Sequence, residues 1–340
     1  MPAAAGRLAG AASQSMAGAA MVATRERSST PIVSVVLPTF NRVRFLRPTI
    51  ASVRAQTFTD WELIIADDGS ELETRQYLES LAMEPRVVVL WLAHTGRPSM
   101  VRNAALRRAV GEYVAFLDSD DVWTATKLER QIGTLRARPN CRWSYTAFVQ
   151  VDARGDPLPG ETSRRWVPYE GEIFEQVVTA RASIRTPSVL ATRQLIAQVG
   201  GFDEALRSAE DYDLWMRLAL YSEVAIVDEP LVHVRRHDEN HTREWQSAYL
   251  GRDRSLSRHQ QLVDSGRRSL LRKERMRNAL KLAETHAERG AQGRTLGALW
   301  QSLPYCWTYP RWWLGGLKAV LRPHVPRRLL QLYRKCRGYA

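Results

Sequence analysis

The chain has 340 residues, of which 44% are hydrophobic, so it can bury the core of a large α/β domain plus an appendage and is not globally disordered. Its net charge of +13 lies in the C-terminal part: residues 251–340 hold 20 Lys and Arg against 5 Asp and Glu, which leaves −2 for residues 1–250. The three cysteines form no C-x-x-C pair, which argues against a disulfide framework or a zinc site and favours a reducing compartment.

The first 30 residues are rich in Ala, Gly and Ser and lack a dense apolar stretch, so they predict a disordered leader rather than a signal peptide. The sequence has no run of 18 apolar residues that would span a membrane. We therefore expect a cytoplasmic protein that is not secreted. Peripheral attachment to the inner face of the cell membrane is compatible with this location.

Strand and helix patterns alternate from residue 31 onward. Continuous β-branched or apolar runs are typical of strands buried on both faces, and they alternate with stretches whose apolar residues share one helical face. The strands are predicted at 33–37, 61–66, 87–92, 113–117 and 142–151, and the helices at 42–55, from about 73, and at 97–110. This order predicts a mainly parallel sheet flanked by helices, which binds ligands at the carboxyl ends of its strands.

The second half of the chain carries a weaker pattern. A loop is predicted at 152–170, a further α/β stretch at 188–227, and basic helices beyond residue 243, including a hairpin over 270–300.

Two acidic clusters follow predicted strands, Asp67-Asp68 and the group Asp118, Asp120 and Asp121. Asp is also a common turn former, but two such turns at one sheet edge favour a site. Packed carboxylates repel one another unless a cation neutralises them, and oxygen ligands suit Mg²⁺ or Mn²⁺.

The first strand is followed by neither a G-x-x-x-x-G-K-[ST] nor a G-x-G-x-x-G loop, which argues against a P-loop NTPase and a nicotinamide enzyme. A diphosphate held by the metal and by a base such as Arg97 or Arg102 is the alternative.

Residues 32–240 resemble the family 2 glycosyltransferases of the GT-A fold. The resemblance rests on VSVVLPTFN, WELIIADDGS, GRPSMVRNAAL, GEYVAFLDSDD, GGFDE and SAEDYDLWMRL, in that order along the chain. It implies a GT-A (Rossmann-like) mixed sheet and an enzyme that transfers a sugar from a nucleotide-sugar donor, most often a UDP-sugar, with Mn²⁺ or Mg²⁺.

The resemblance also implies roles for residues on the donor side. Thr39 and Asp68 match residues that contact the nucleobase, with Asp67 beside them. Asp118 and Asp120 match the D-x-D element, in which Asp118 lies near the ribose and the metal and Asp120 binds the metal directly.

On the acceptor side, Asp211 of the Glu210-Asp211 pair matches the general base that deprotonates the acceptor hydroxyl, and the displacement inverts the anomeric centre. Arg102 would face the donor near Asp118, and His237 matches a histidine that some relatives carry close to the metal. Without the resemblance, the residue pattern favours reading Glu210 and Asp211 as acids in the first turn of a helix, a position that is also compatible with a general base.

Three histidines, His233, His237 and His241, have the spacing of a helical metal site, which the nearby Pro230 opposes. Trp123, directly after the acidic group, fits either the core or a sugar platform, and Trp215 fits the core.

The C-terminal residues 300–340 interleave four tryptophans with eight basic residues, a composition that suits the headgroup region of an anionic membrane. A solvated basic helix on the catalytic domain is the alternative, and no nucleic acid partner is expected, because no RNA-binding module accompanies them.

We therefore predict a disordered leader (1–30), a GT-A domain (31–245, with donor half 31–135 and acceptor half 136–245) and a helical basic region (246–340). The expected function is transfer to a glycan or lipid-linked glycan of a cell-surface polysaccharide. The alternatives are a sugar nucleotidyltransferase, which would favour a Gly- and Lys/Arg-rich loop after the first strand, and a non-catalytic nucleotide-sugar-binding protein.

Overall fold

A computed structural model describes residues 30–158, 166–237 and 245–322. Most of the predicted leader, His241 and residues 323–340 of the basic tail lie outside these ranges. The strands are β1 (Val33–Thr39), β2 (Trp61–Asp67), β3 (Val87–Trp91), β4 (Tyr113–Phe116), β5 (Val122–Trp123), β6 (Cys141–Val151), β7 (Leu190–Thr192) and β8 (Glu223–Arg235). The helices are α1 (Val43–Arg54), α2 (Leu72–Leu81), α3 (Pro98–Arg108), α4 (Lys127–Ala137), α5 (Phe174–Val178), α6 (Arg193–Val199), α7 (Glu210–Tyr221), α8 (Trp245–His259), α9 (Ser265–Glu288), α10 (Gln292–Cys306) and α11 (Pro310–Leu321).

The eight strands form one sheet in the order β3-β2-β1-β4-β7-β6-β8-β5. The first four strands in this order, β3, β2, β1 and β4, are parallel to one another, and β6 is parallel to β8. In contrast, β7 and β5 run antiparallel to their neighbours. The predicted mixed, mainly parallel sheet is confirmed. The carboxyl ends of β1, β2 and β4 therefore meet at one edge.

The sheet is covered on both faces because successive residues of a strand point to opposite sides. On one face Val36, Ile64 and Phe116 join the core formed with α3, α5, α6 and α7. On the other face Leu37 and Leu63 pack with the apolar sides of α1, α2 and α4. Because both faces of the sheet are covered, β1 and β2 have nearly continuous apolar sequences, and each fully buried large apolar side chain contributes about 1.5–3 kcal/mol.

The structure corrects or resolves three expectations from the sequence. β5 and α4 follow the Asp118–Asp121 turn, where no element was predicted. His233 lies in the 13-residue strand β8, so the helical metal-site spacing that Pro230 already opposed does not apply to this residue. Trp123 and Trp215 are 3% and 2% exposed, which makes both core residues.

Helices α8 to α11 form the C-terminal region, and the predicted hairpin corresponds to α9 and α10. Trp312, Cys306 and Met276 form a separate small core between α9, α10 and α11. Within the described ranges, no helix is both long and apolar enough to cross a membrane.

Candidate active site

The ends of β1 and β2 place two polar side chains side by side. Thr39 and Asp67 are partners in the parallel register and are 4% and 2% exposed. Asp67 Oδ2 accepts a hydrogen bond from Ser70 N (3.0 Å), whereas Thr39 Oγ1 and Asp67 Oδ1 have no partner within the part of the chain that the structure describes. Buried polar atoms are rarely left unpaired, so this pair offers hydrogen bonds to a ligand.

Asp68 holds the loop after β3. Its carboxylate accepts hydrogen bonds from Thr95 N (2.8 Å), Thr95 Oγ1 (2.9 Å) and Gly96 N (2.9 Å). This loop brings His94 onto Phe40, with the ring centroids 4.2 Å apart and an interplanar angle of 26°. The geometry gives Asp68 an anchoring role, and its predicted nucleobase contact stays a prediction.

Arg102 joins the two halves of the site. Its guanidinium donates to Asp118 Oδ1 (2.6 Å) in the turn after β4 and to Glu210 Oε1 (2.9 Å) at the start of α7. Its side chain is 8% exposed, and the two carboxylates hold its pKa above the ordinary value although burial lowers it. Burial raises the pKa of Asp118; the Arg102 charge opposes this and Asp120 adds to it.

Asp120 faces two cationic or potentially cationic groups. Arg42, directly before α1, forms an ion pair with Oδ2, and His237 Nε2 lies 3.0 Å from the same oxygen. Burial raises the pKa of Asp120, but the hydrogen bond to His237 and the Arg42 charge outweigh this and lower it overall.

Asp121, the third member of the predicted acidic group, fixes the position of the turn after β4. Asp121 Oδ1 accepts from Arg235 N (2.8 Å), which ties the turn to the end of β8. Burial, with the charges of Asp120 and Asp118, raises its pKa well above the ordinary value.

Asp211 lies in the first turn of α7. The preceding Ala209 has a φ of 61°, a left-handed conformation that costs about 1–2 kcal/mol for a residue other than glycine. Asp211 Oδ1 accepts from the neighbouring Tyr212 N (2.7 Å). Burial and the Glu210 charge raise the pKa of Asp211 against the opposing effects of this hydrogen bond and of Arg102, and a raised pKa makes it a stronger base.

Helix α8 supports α7 from behind. Asp213, 1% exposed, accepts from Ser255 Oγ (2.7 Å), contacts His259 Nε2 (2.9 Å) and pairs with Arg217 (2.6 Å). Gly251 lies so close to the segment before Asp211 that an added Cβ would meet a backbone oxygen at 2.2 Å. The start of α7 is therefore fixed by an element 40 residues further along the chain.

The donor set fits a divalent cation that takes further ligands from a substrate. Over residues 30–158, 166–237 and 245–322, no three His, Cys, Asp or Glu side chains surround a common point. Asp118 and Asp120 supply hard oxygen atoms, and in this structure Asp120 already balances a positive charge, that of Arg42. One or two carboxylates plus substrate phosphates is the usual way to bind Mg²⁺.

The structure separates one predicted residue from this group and adds others. Arg97 Nη1 contacts the backbone oxygen of Glu204 (3.4 Å), in the acceptor half. Arg42 and His94 were not predicted. The signal that could have indicated Arg42 is its position as the basic residue directly after the VSVVLPTFN motif. Nothing local to His259 could have indicated its contact with α7.

This sheet order, with carboxylates from the end of β4 and the start of α7 on one buried arginine, defines a GT-A-type α/β protein. A family model described as Glycosyl transferase family 2 matches residues 34–177. A glycosyltransferase of Rickettsia conorii is 30% identical over 203 residues, which are 60% of this chain and 32% of that protein. The putative teichuronic acid biosynthesis glycosyltransferase TuaG of Bacillus subtilis is 40% identical over 129 residues, 38% of this chain and 51% of TuaG.

Among solved structures, S. aureus TarS (residues 1–349) superposes with a TM-score of 0.58 at 19% identity and covers 78% of this chain and 80% of that one, which supports the fold. The chain spans about a third to a half of the length of the two curated relatives. The family match over residues 34–177 bears out the resemblance to the family 2 glycosyltransferases that the motifs predicted.

Proposed function

We propose that this protein is an inverting, metal-dependent glycosyltransferase that moves a sugar from a nucleotide-sugar donor to a hydroxyl group of an acceptor. The observation that carries the proposal is the Arg102 guanidinium, which bridges Asp118 of the donor half and Glu210 beside Asp211. It brings a donor-binding carboxylate and a candidate base to one buried cation.

The donor would bind along the edge formed by β1, β2 and β4. Thr39 Oγ1 and Asp67 Oδ1 have open hydrogen-bonding capacity for a nucleoside, with Asp68 holding the adjacent loop. Asp118 would lie near the ribose, and Asp118 and Asp120 would hold Mn²⁺ or Mg²⁺. Such an ion stabilises the negative charge that develops on the leaving diphosphate.

Asp211 would take the proton of the acceptor hydroxyl. The hydroxyl oxygen attacks the anomeric carbon as the bond from that carbon to the diphosphate oxygen breaks, and attack from the opposite face inverts the centre. A positioned general base contributes typically ~10²–10⁴-fold. Burial supports this role, because it raises the pKa of Asp211 and strengthens it as a base.

A UDP-sugar is the first donor to test, because TarS has been crystallised with UDP-GlcNAc. The name of TuaG, which refers to teichuronic acid biosynthesis, supports an acceptor of the cell-surface polysaccharide class, either a glycan or a lipid-linked glycan. A cytoplasmic enzyme with residues 300–340 against an anionic membrane would meet such an acceptor. We also propose that the chain divides into a leader (1–30), a GT-A domain (31–245) and a helical basic region (246–340).

The test is a panel of UDP-, GDP- and dTDP-sugars scored for nucleoside diphosphate release with Mn²⁺ and with EDTA. We expect release with one nucleotide class, loss with EDTA, and at least ~10²-fold slower turnover in Asp211→Asn. Asp203→Asn is the matched control, because this carboxylate pairs with the exposed Arg258. Unchanged turnover in Asp211→Asn would remove the base role. Release of pyrophosphate from a nucleoside triphosphate in the presence of a sugar phosphate would indicate a nucleotidyltransferase.

A further inference from the structure

Helices α10 and α11 carry an apolar surface that faces away from their own core. Its members are exposed by roughly half or more and fall on one side of each helix: Leu296, Trp300 and Trp307 on α10 and its C-terminal end, and Trp313, Leu314, Leu317 and Leu321 on α11. We call these seven residues the tryptophan face. Its three tryptophans are 55% to 76% exposed, which is unusual for rings of this size.

The opposite sides of the same helices are fixed by packing. Trp312 is 5% exposed, and its Nε1 donates to Ser302 Oγ (2.9 Å). Gly315 and Gly316 lie against Leu280 and Leu299, where an added Cβ would be 2.9 Å and 3.3 Å from the nearest side-chain atoms. Because α11 is held this closely on its inner side, it cannot rotate to bury the tryptophan face.

The charges around this face have one sign. From residue 289 to the C-terminus the sequence contains ten Lys and Arg and no Asp or Glu. The exposed Arg311 and Lys318 lie one helical turn to either side of Leu314, at the border of the face. Five of these ten basic residues lie in residues 327–337, which follow the end of α11.

We propose that the tryptophan face docks onto an anionic lipid bilayer surface, with α10 and α11 lying in the headgroup region and the basic residues contacting lipid phosphates. Tryptophan rings favour this region because they are amphipathic, and nearby basic residues are attracted to anionic lipid. The commitment to lipid follows from the uniform charge, since a self-complementary contact would bring two basic surfaces together.

Only the role of this docking, access to a lipid-linked acceptor, rests on the proposed function. The face connects to the candidate site through packed helices: α10 and α11 pack on α9, α9 on α8, and α8 on the segment before Asp211. A bilayer-bound enzyme would thus hold its acceptor half in a fixed position relative to the membrane.

The test is sedimentation of the full chain with phosphatidylcholine vesicles that contain or lack phosphatidylglycerol. We expect binding to the anionic vesicles that weakens at high salt, with a blue shift of tryptophan fluorescence and quenching by brominated lipid. The triple variant Trp300→Ser/Trp307→Ser/Trp313→Ser is expected to bind ~100-fold more weakly, because each ring contributes roughly fivefold or more.

The matched control is Leu72→Ser/Met83→Ser/Leu262→Ser, which removes three apolar side chains of 66% to 70% exposure elsewhere on the surface. If the triple tryptophan variant does not fold, Arg311→Gln/Lys318→Gln replaces it and should weaken binding to anionic vesicles roughly fivefold for each charge. Equal binding of the tryptophan and control variants would overturn the proposal. So would dimerisation of the wild type through this face without vesicle binding, whereas a failure of sugar transfer with vesicle binding intact affects only the proposed function.

Discussion

Replacing Arg102 with alanine tests whether this residue holds the two halves of the site together. The variant loses the cation that compensates Asp118 and Glu210, while both carboxylates keep their places beside Asp211. Removing one partner of a buried ion pair typically costs about 3–5 kcal/mol, because the remaining charge is left buried and unpaired. Since Asp118 is 27% exposed and partly solvated, we expect the lower end, about 3 kcal/mol.

The loss of unfolding free energy in Arg102→Ala should depend on pH. Without Arg102 the folded-state pKa values of Asp118 and Asp211, which burial already raises, rise further. An acid whose folded pKa is raised destabilises the fold at a pH above that value. The destabilisation is therefore full near pH 7 and shrinks as the pH falls and the carboxyls take up protons. Urea unfolding followed by circular dichroism at about pH 7 and about pH 5 measures both quantities.

Arg107→Ala is the matched control on the same helix. Arg107 is 69% exposed and lies 3.6 Å from Glu204, so its loss should cost less than about 1 kcal/mol at either pH. A loss of less than about 1 kcal/mol in Arg102→Ala, or one that is equal at both pH values, would refute the reasoning. If Arg102→Ala does not fold, Arg102→Lys, which keeps the charge but not the two-pronged geometry, should be intermediate.

Three further predictions concern the surroundings of the site. Burial raises the pKa of Asp213, but the hydrogen bonds that it accepts outweigh this and lower the pKa to about 2. Asp213→Asn should therefore lower the free energy of unfolding by about 2 kcal/mol near neutral pH. Urea unfolding should show this difference falling to roughly half by pH 3. Gly251→Ala should slow transfer and lower the melting temperature, because its Cβ would displace the backbone at Ser208; normal activity with a normal melting temperature would contradict the close approach. Arg42→Gln should tighten Mn²⁺ binding to the free protein in calorimetric titration, since the cation that pairs with Asp120 is gone; weaker binding would show instead that Arg42 supports the metal site.

The apolar and polar patterns of the chain are enough to predict the parallel part of the sheet and most of its ligand-binding edge. The apolar runs of β1, β2 and β4 are long enough to specify buried parallel strands, and the polar residues after them must then meet at one edge. For the same reason Thr39, Asp67 and Asp118 could be placed near one another from their positions in the chain. Local patterns were weaker for β5 and β7, because strands of two and three residues carry too few side chains to show a period.

The long-range charge pairs of the site depend on tertiary packing. The contact of Arg102 with Glu210 joins residues 108 positions apart, and that of His237 with Asp120 joins residues 117 apart. No local pattern encodes such pairs, since they depend on how α3, α7 and the end of β8 pack around the sheet. The same holds for the tryptophan face: the sequence gives the residues of α10 and α11, and only their packing on α9 decides which rings stay outside.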